Sequence, residues 1–365
     1  MIELNKNDYE RVRPLFRKSD LHLPLQAILA GNVNSQIFVD NTDHPQTAVT
    51  WTGYRFFLTG VPGNTELIAE IRKIFLEKYS LSAWKEGIDS YVLYYPNEKW
   101  EDFIKPMLAQ KSPISSVSSY YSRKTEHVEN SNLPEEFSSW PIDASLLSKT
   151  WSNKEFLTDE LVSERKSIEE FLEKSFGICV TREDMIVGWC VSEYNTGHRC
   201  EIGISTHKDY RQQGLASWMT REFINTARSK DIARLGWHSK SANIGSAATA
   251  LACGFEKVQD YPVYFGWFDD AINLANNGYF AHTRGDNADA LGYYEKSIKI
   301  GDAPDWAYWG AACEAAIIGN EEKGFNYLFQ AIEHGFDSVD QITQSEYFSN
   351  FHSSEKWQEV LKKLK

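Results

Sequence analysis

Hydrophobic positions along this 365-residue chain recur with two different periods, and the switches between them mark out its elements. The first part, to about Arg123, opens with two helical stretches, the second being HLPLQAILAG. Three short runs, SQIFVD, QTAVTW and YRFFLTG, then predict strands. NTELIAEIRKIFLEKY predicts a helix, with Leu67, Ile71, Ile74 and Phe75 at helical spacing. SYVLYY predicts another strand, EKWEDFIKPML another helix and SSVSSYYSRK a last strand. The polar stretch KTEHVENSNLPEEFSSWP breaks the pattern and reads as a linker.

The middle part, about 139 to 268, repeats the same order. DELVSERKSIEEFLEKSFG is helical by period, and FGICVTRE, MIVGWCVSEY and RCEIGIST are three strands joined by turns at Glu183–Asp184 and Asn195–Gly197. A helix begins near Gln213 and runs to about Ser229; ARLGWHSK is a strand, ANIGSAATALACGF a helix, and EKVQDYPVYFGWF a closing strand. Helix, three strands, helix, strand, helix, strand thus occurs twice, which predicts a duplicated α/β fold. The tail differs. RGDNADALGYYEKSIKIG (284–301) aligns with IGNEEKGFNYLFQAIEHG (318–335) at an offset of 34, matching Gly285 with Gly319, Tyr293 with Tyr327, Ile298 with Ile332 and Gly301 with Gly335. EKWQEVLKKL closes the chain as a capping helix. The expected organisation is an α/β domain at 1–125, a linker at 126–138, a second α/β domain at 139–268 and an all-α domain at 269–365.

Composition adds limits. No apolar run approaches the roughly 18–20 residues that a membrane span needs, and the charged N-terminus MIELNKNDYERVRP lacks the apolar core of a signal peptide. The expectation is a soluble, cytoplasmic protein without membrane contact. Its five cysteines, Cys179, Cys190, Cys200, Cys253 and Cys313, form no CxxC and give no spacing for a metal or redox site. A net charge of −13 argues against nucleic acid as a partner. From Asp269 onward, 8 Lys and Arg stand against 16 Asp and Glu, so the tail carries most of the deficit. Any polyanionic ligand must therefore be held by local groups acting against the overall field.

One stretch offers such groups. In HKDYRQQGLASWM (207–219) a strand leads through Arg211, Gln212, Gln213 and Gly214 into a helix that begins with Leu215 and Ala216. Helix N-termini present unpaired N–H groups and a positive dipole end, and glycine lets backbone approach a phosphate. The plain alternative is a helix start with a capping glycine and a solvated arginine. Some thirty residues on, NIGSAATALACGF (243–255) supplies a second motif. Together the two resemble the GNAT acyltransferase superfamily, the fold of acetyl-CoA-dependent N-acetyltransferases. Arg211, Gln213, Gly214 and Ala216 match that family's R/Q-x-x-G-x-G/A pyrophosphate loop. Asn243, Ser246 and Gly254–Phe255 match its N-x-x-S/A…G-F helix, which lies against the pantetheine arm. The resemblance covers about 139–268. The N-terminal part then looks like a degenerate GNAT-like copy whose nearest equivalent of the loop, TGVPGN (59–64), has glycines but no arginine. The tail's period and small residues resemble tetratricopeptide (TPR) hairpins.

The resemblance implies direct attack of an amine on the acetyl-CoA thioester, with no metal. Ile204, Ser205 and Thr206 are the strand residues expected beside the acetyl group, where backbone N–H would meet the oxyanion. An amine of pKa about 10 needs a base. Glu201 is the first choice, although the family position falls one residue earlier, on Cys200, and only a bulge would reconcile the two. His238 is the second candidate and Glu193 a weaker third; a strand-end histidine can equally be a packing residue. Where many members carry a tyrosine acid this chain has Ala250, so the thiolate is protonated either by another group, Tyr264 ahead of Tyr261, or by water. The TPR-like tail suggests a protein partner or a structural cap. Two functions stay open at this point: N-acetyl transfer to a small-molecule or peptide amine, and a non-catalytic acyl-CoA-binding module that recruits a partner through its tail.

Overall fold

The computed structural model describes residues 1–364 apart from Asp20 and Asn34. The chain divides into two compact units. The first comprises Met1–Ile71, Leu93–Glu101 and Ser115–Val263; the second comprises Arg72–Val92, Asp102–Ile114 and Tyr264–Lys365.

A mixed sheet makes up most of the first unit; residues 90–92, 114 and 264–267 of its strands fall in the second. Its strands in chain order are β1 (Ile2–Glu3), β2 (Ile37–Val39), β3 (Thr47–Thr52), β4 (Arg55–Gly60), β5 (Ser90–Tyr94), β6 (Ile114–Lys124), β7 (Ser138–Pro141), β8 (Gly177–Arg182), β9 (Met185–Thr196), β10 (Arg199–Thr206), β11 (Arg234–Lys240) and β12 (Glu256–Trp267). In space they run β1-β2-β3-β4-β5-β12-β6-β11-β10-β9-β8-β7. Read inward from either edge, the order is the same: five strands of one half, then the last strand of the other. The duplication expected from the sequence is therefore present in the topology. The halves do not close separately, however, because β6 and β12 are exchanged. β6 pairs antiparallel with β11, from Lys124 opposite Arg234 to Ser118 opposite Lys240. Exchange leaves neither half with an open edge at the middle of the sheet.

Two expected boundaries shift for physical reasons. The stretch between β6 and β7 is strapped down rather than free. Asn130 donates to the Trp218 carbonyl (3.0 Å) and to Glu222 (2.9 Å), Trp218 Nε1 donates to the Ser131 carbonyl (2.8 Å), and Val128 and Leu133 pack on the core. The helix expected over 159–177 is two helices, Glu155–Ser163 and Ile168–Lys174. Ser167 caps the second by accepting from the Glu170 N–H, so its side chain substitutes for the missing turn of helix.

The second unit is mainly helical. Asp270–Thr283 with Asn287–Ile300, and Asp305–Ile317 with Glu321–Glu333, form successive hairpins, followed by Glu355–Lys363. The sequence repeat is thus a structural one. Gly285 and Gly319 close equivalent helix ends at φ 79° and 78°, and Gly301 and Gly335 at φ 97° and 100°. Gly278 and Gly310 flank the Tyr294 ring, where a side chain on either would collide with it. Asn273, 1% exposed, ties this unit together: it accepts from the Trp267 N–H (3.0 Å) and donates to the Lys111 and Ser112 carbonyls (2.5 and 3.1 Å).

Replacing Asn273 by Ala leaves the half-buried Trp267 N–H and Lys111 carbonyl without this partner, while the Ser112 carbonyl keeps its bond from Asn277, so a loss of about 1–3 kcal/mol is expected in urea unfolding. A change within about 0.5 kcal/mol, the scatter of a neutral surface substitution, would show that water takes over its bonds.

Candidate active site

β10 runs through the turn Lys208–Tyr210 into the exposed loop Arg211–Gly214 and then the helix Leu215–Ser229. Gln212 and Gly214 both have positive φ, 62° and 80°, so successive N–H groups turn outward. No side chain caps the helix, leaving its first N–H groups to face the loop. Arg211 donates from Nε to the Thr206 carbonyl (3.1 Å), fastening the loop to the strand end. These features fit the pyrophosphate of a coenzyme A molecule: a cradle of backbone donors at a fifteen-residue helix N-terminus, with a fixed cation beside it.

The groove behind the loop is an opening in the sheet. β10 pairs in parallel with β11 only over Arg199–Glu201 and Arg234–Gly236. On its other side β10 stays paired with β9 as far as Thr206. Beyond Glu201 the strands therefore part, and Ile204, Ser205 and Thr206 are half-buried along the gap. Asn243 and Ser246 sit at the start of the helix Ile244–Ala252. Asn243 Oδ1 accepts from the Ser246 N–H (3.1 Å), and Ser246 Oγ accepts from Trp237 Nε1 (2.9 Å), so both fix how this helix begins. Ala250 is fully buried in the core and offers no proton donor.

At the vertex of the opening lies a polar trio. Glu201 Oε1 accepts from the Leu23 backbone N–H (2.7 Å) and lies 3.3 Å from His238 Nε2; His238 Nδ1 lies 2.8 Å from the Tyr261 hydroxyl. With Nε2–H donating to the carboxylate, Nδ1 accepts from the tyrosine. His22 stacks on His238 at 5.3 Å between ring centroids and 15° between planes. Burial, then the neighbouring His238 and Arg55, hold His22 well below the ordinary histidine range, so it stays neutral. Burial pushes Glu201 upward, but His238, the Leu23 amide and Arg55 outweigh it, and the carboxyl sits below its ordinary range. Burial raises the Tyr261 hydroxyl well above its ordinary value. Cys200 packs with the core under the helix Leu215–Ser229, and Glu201 takes the opposite face with His238.

A second polar layer adjoins it. Arg55 makes a two-pronged pair with Glu164 (2.5 and 2.8 Å) at side-chain exposures of 7% and 8%, and its guanidinium lies 4.1 Å from the Tyr54 ring centroid. Next to it, Glu193 is pushed up to about 8 and Glu160 to about 7, in each case by burial first and then by neighbouring carboxylates. A cavity of about 730 Å³ borders Tyr261, with Asp260, Glu98, Glu101 and Lys99 on its lining.

Of the residues singled out from the sequence, Glu201 and His238 are brought together, and the cradle residues lie on one loop. Tyr264 is buried in the second unit, and the tyrosine bonded to His238 is Tyr261. His22, Leu23, Arg55 and Glu164 were missed. The signal that could have found Arg55 was a charge inside the apolar strand YRFFLTG. Among the described residues no group of three or more His, Cys, Asp or Glu could hold a metal ion, and no helix is long and apolar enough to cross a membrane.

Comparison with known proteins bears on the same residues. The model of the GNAT acetyltransferase family matches residues 13–264. A Bacillus subtilis (strain 168) protein described as an uncharacterized N-acetyltransferase, YdfB, is 23% identical over 266 residues, spanning 72% of this chain and 97% of that protein. The crystal structure of a GCN5-related N-acetyltransferase-like protein from Streptococcus suis 89/1591 superposes with a TM-score of 0.52 at 22% identity, covering 72% of this chain and 98% of the other. A tandem GNAT protein from the clavulanic acid biosynthesis pathway gives 0.44 at 10% identity, over 73% and 97% of the two chains.

The Arg55–Glu164 pair gives a stability test. Arg55→Ala leaves a nearly buried carboxylate unpaired, with an expected loss of about 3–5 kcal/mol, whereas Arg55→Met with Glu164→Leu restores most of it. Denaturant unfolding of the two variants decides; equal losses would mean that the pair acts through packing alone.

Proposed function

This chain belongs to the GNAT acetyltransferase family, and from that premise we propose that it is an acetyl-CoA-dependent N-acetyltransferase acting on the primary amine of a small molecule or peptide. The observation that carries the reading is the coincidence of the uncapped helix N-terminus at Gly214 with the parting of β10 from β11. In this reading Arg211, Gln212, Gln213, Gly214, Leu215 and Ala216 hold the pyrophosphate. Ile204, Ser205 and Thr206 line the gap for the pantetheine and acetyl ends, with backbone N–H available to the developing oxyanion. Asn243 and Ser246 fix the neighbouring helix and the far wall of the groove.

Positioning supplies much of the rate, since it makes a two-body reaction unimolecular. Proton traffic supplies the rest. Glu201, already accepting two bonds, holds His238 in one orientation, and the His238–Tyr261 pair keeps an exchangeable proton for the departing thiolate. This gives the donor role to Tyr261 in place of Tyr264. The acidic lining of the cavity beside Tyr261 suits a cationic acceptor.

A second reading, an acyl-CoA-binding module that recruits a protein through the TPR-like tail, is favoured by one observation: Ala250 stands buried where many family members have their acid.

Calorimetric titration with acetyl-CoA separates these readings from a lost site. Micromolar binding by the natural protein is expected. Gly214→Val should weaken it at least tenfold, because a β-branched residue at φ 80° costs roughly 1–2 kcal/mol and displaces the N–H groups. Absence of binding would remove both readings. Binding without thiol release against any of a panel of amines would leave the module.

A further inference from the structure

We propose that Glu193 receives the ammonium group of the acceptor and takes up its proton, an assignment that rests on the transferase reading above. The register carries it. Glu201 lies opposite Tyr194 on β9, but Ile202 lies opposite Ser192, so Glu193 is the extra residue of a bulge. Bulges re-aim a side chain, and this one lays the Glu193 carboxylate over Gly203. A Cβ built on Gly203 would stand 2.5 Å from Glu193 Oε1 and 2.8 Å from its Cγ. Gly203 is two residues past the last β10–β11 pair, within the opening where the acetyl group would lie. Glycine at this position is what lets the carboxylate reach the gap.

Glu193 is also uncommitted. Among the described residues no hydrogen bond or ion pair engages its carboxylate, and the residue is only half-buried. Glu201 is different: it is 4% exposed and bonded to both Leu23 and His238. Both bonds fall on Oε1, which leaves that oxygen less free for an incoming ammonium. Facing Glu193 are Tyr54 from the turn before β4, Arg55 from β4, Glu160 from the helix Glu155–Ser163 and Glu164 at its C-terminal end, Glu201 from β10, and the thiols Cys190 and Cys200. One guanidinium, already paired with Glu164, stands among these carboxylates, so a cation arriving there is favoured. Burial, then Glu164 and Glu160, push the Glu193 carboxyl up to about 8, with Arg55 partly opposing. That range suits a base working near neutral pH.

The step balances as follows. The ammonium gives one proton to the Glu193 carboxylate. The freed nitrogen lone pair forms the C–N bond to the thioester carbonyl carbon. The C–S bond breaks with its electron pair on sulfur, and the second nitrogen-bound proton reaches the thiolate by way of His238 and Tyr261 or water. Glu193 then returns its proton to solvent.

Two measurements on the full chain test this, each with the natural protein and Glu193→Gln. The first follows thiol release from saturating acetyl-CoA between pH 6 and 9.5, with methylamine as the probe because it fits any primary-amine site. Expected are an unchanged acetyl-CoA Kd, a fall of about 100-fold or more in the amine-dependent rate, and loss of the limb in which the natural protein's rate rises through about pH 8. The second needs no turnover. A carboxyl raised by folding from 4.5 to about 8 stabilises the native state below 4.5 and loses that contribution as pH climbs through 8. The natural protein's Tm should therefore fall relative to that of Glu193→Gln between pH 5 and 9. Parallel Tm curves would mean that the carboxylate is neutralised by a partner, and the assignment fails. It also fails if Glu193→Gln keeps both rate and limb, or if a natural protein that binds acetyl-CoA releases no thiol with methylamine. Failure of the natural protein to bind acetyl-CoA would instead remove the transferase reading itself, whatever the Tm comparison gives.

Discussion

Exchange of the last strand of each half is the constraint on which the candidate site depends. β6 lies between β11 and β12. His238 on β11 is directly opposite Tyr120 on β6, and the Tyr261 hydroxyl comes from β12, one strand further on. Leu23 and His22, which engage Glu201 and His238 from above, belong to the first half of the sequence. The His238–Tyr120 pairing and the contacts of His22 and Leu23 with His238 and Glu201 all join one half to the other. The sheet interior is also where low dielectric makes such bonds strong when satisfied and costly when broken. The same pairing that joins the halves therefore fixes the geometry of the polar trio.

Electrostatics points the same way. The Arg55–Glu164 pair is nearly buried, and a pair of that kind is weak support for stability once desolvation is counted. Around it, Glu160 and Glu193 are held with carboxyls near 7 and 8, a configuration that costs stability at neutral pH. Folds tolerate such crowding of like charge mainly where chemistry uses it. The perturbed carboxylates thus lie close to the opening in the sheet, which is where the transferase reading places the acceptor amine.

What could be read from the sequence followed the range of the interactions involved. The loop and helix start at 211–216 were legible because they are made of backbone: two positive-φ positions and an uncapped helix N-terminus, all within a few residues. The helical repeat was legible for the same reason, its four matched glycines each ending a helix. Contacts between distant segments were not. Arg55 meets Glu164 across 109 residues and Leu23 meets Glu201 across 178, and no local pattern encodes either. The choice between Tyr261 and Tyr264 shows the intermediate case. Strand alternation separates the two, but which phase faces His238 depends on the strand's neighbours, and those neighbours were exchanged. A bulge near Glu201 was raised by the one-residue offset from Cys200, but that its extra residue is Glu193 on β9 lies in the pairing of two strands and in neither strand alone.

On the transferase reading, the two halves divide the work between them. In the first half the stretch equivalent to the cradle is Gly60–Asn64. It keeps glycines of positive φ at 60 and 63, but Pro62 removes a backbone donor, and no arginine is present. A phosphate would find fewer N–H groups there and no fixed cation. That half instead contributes His22, the Leu23 amide, Tyr54, Arg55 and Tyr94 to the polar layers around Glu193 and Glu201. If the proposed function holds and coenzyme binding is confined to the second copy, the first copy's strand ends and first helices are free to change, provided that they still close the central strands. Under that reading duplication followed by strand exchange turns the first copy into a wall beside Glu193 and Glu201, and substrate choice would follow its substitutions rather than those of the loop at 211–216.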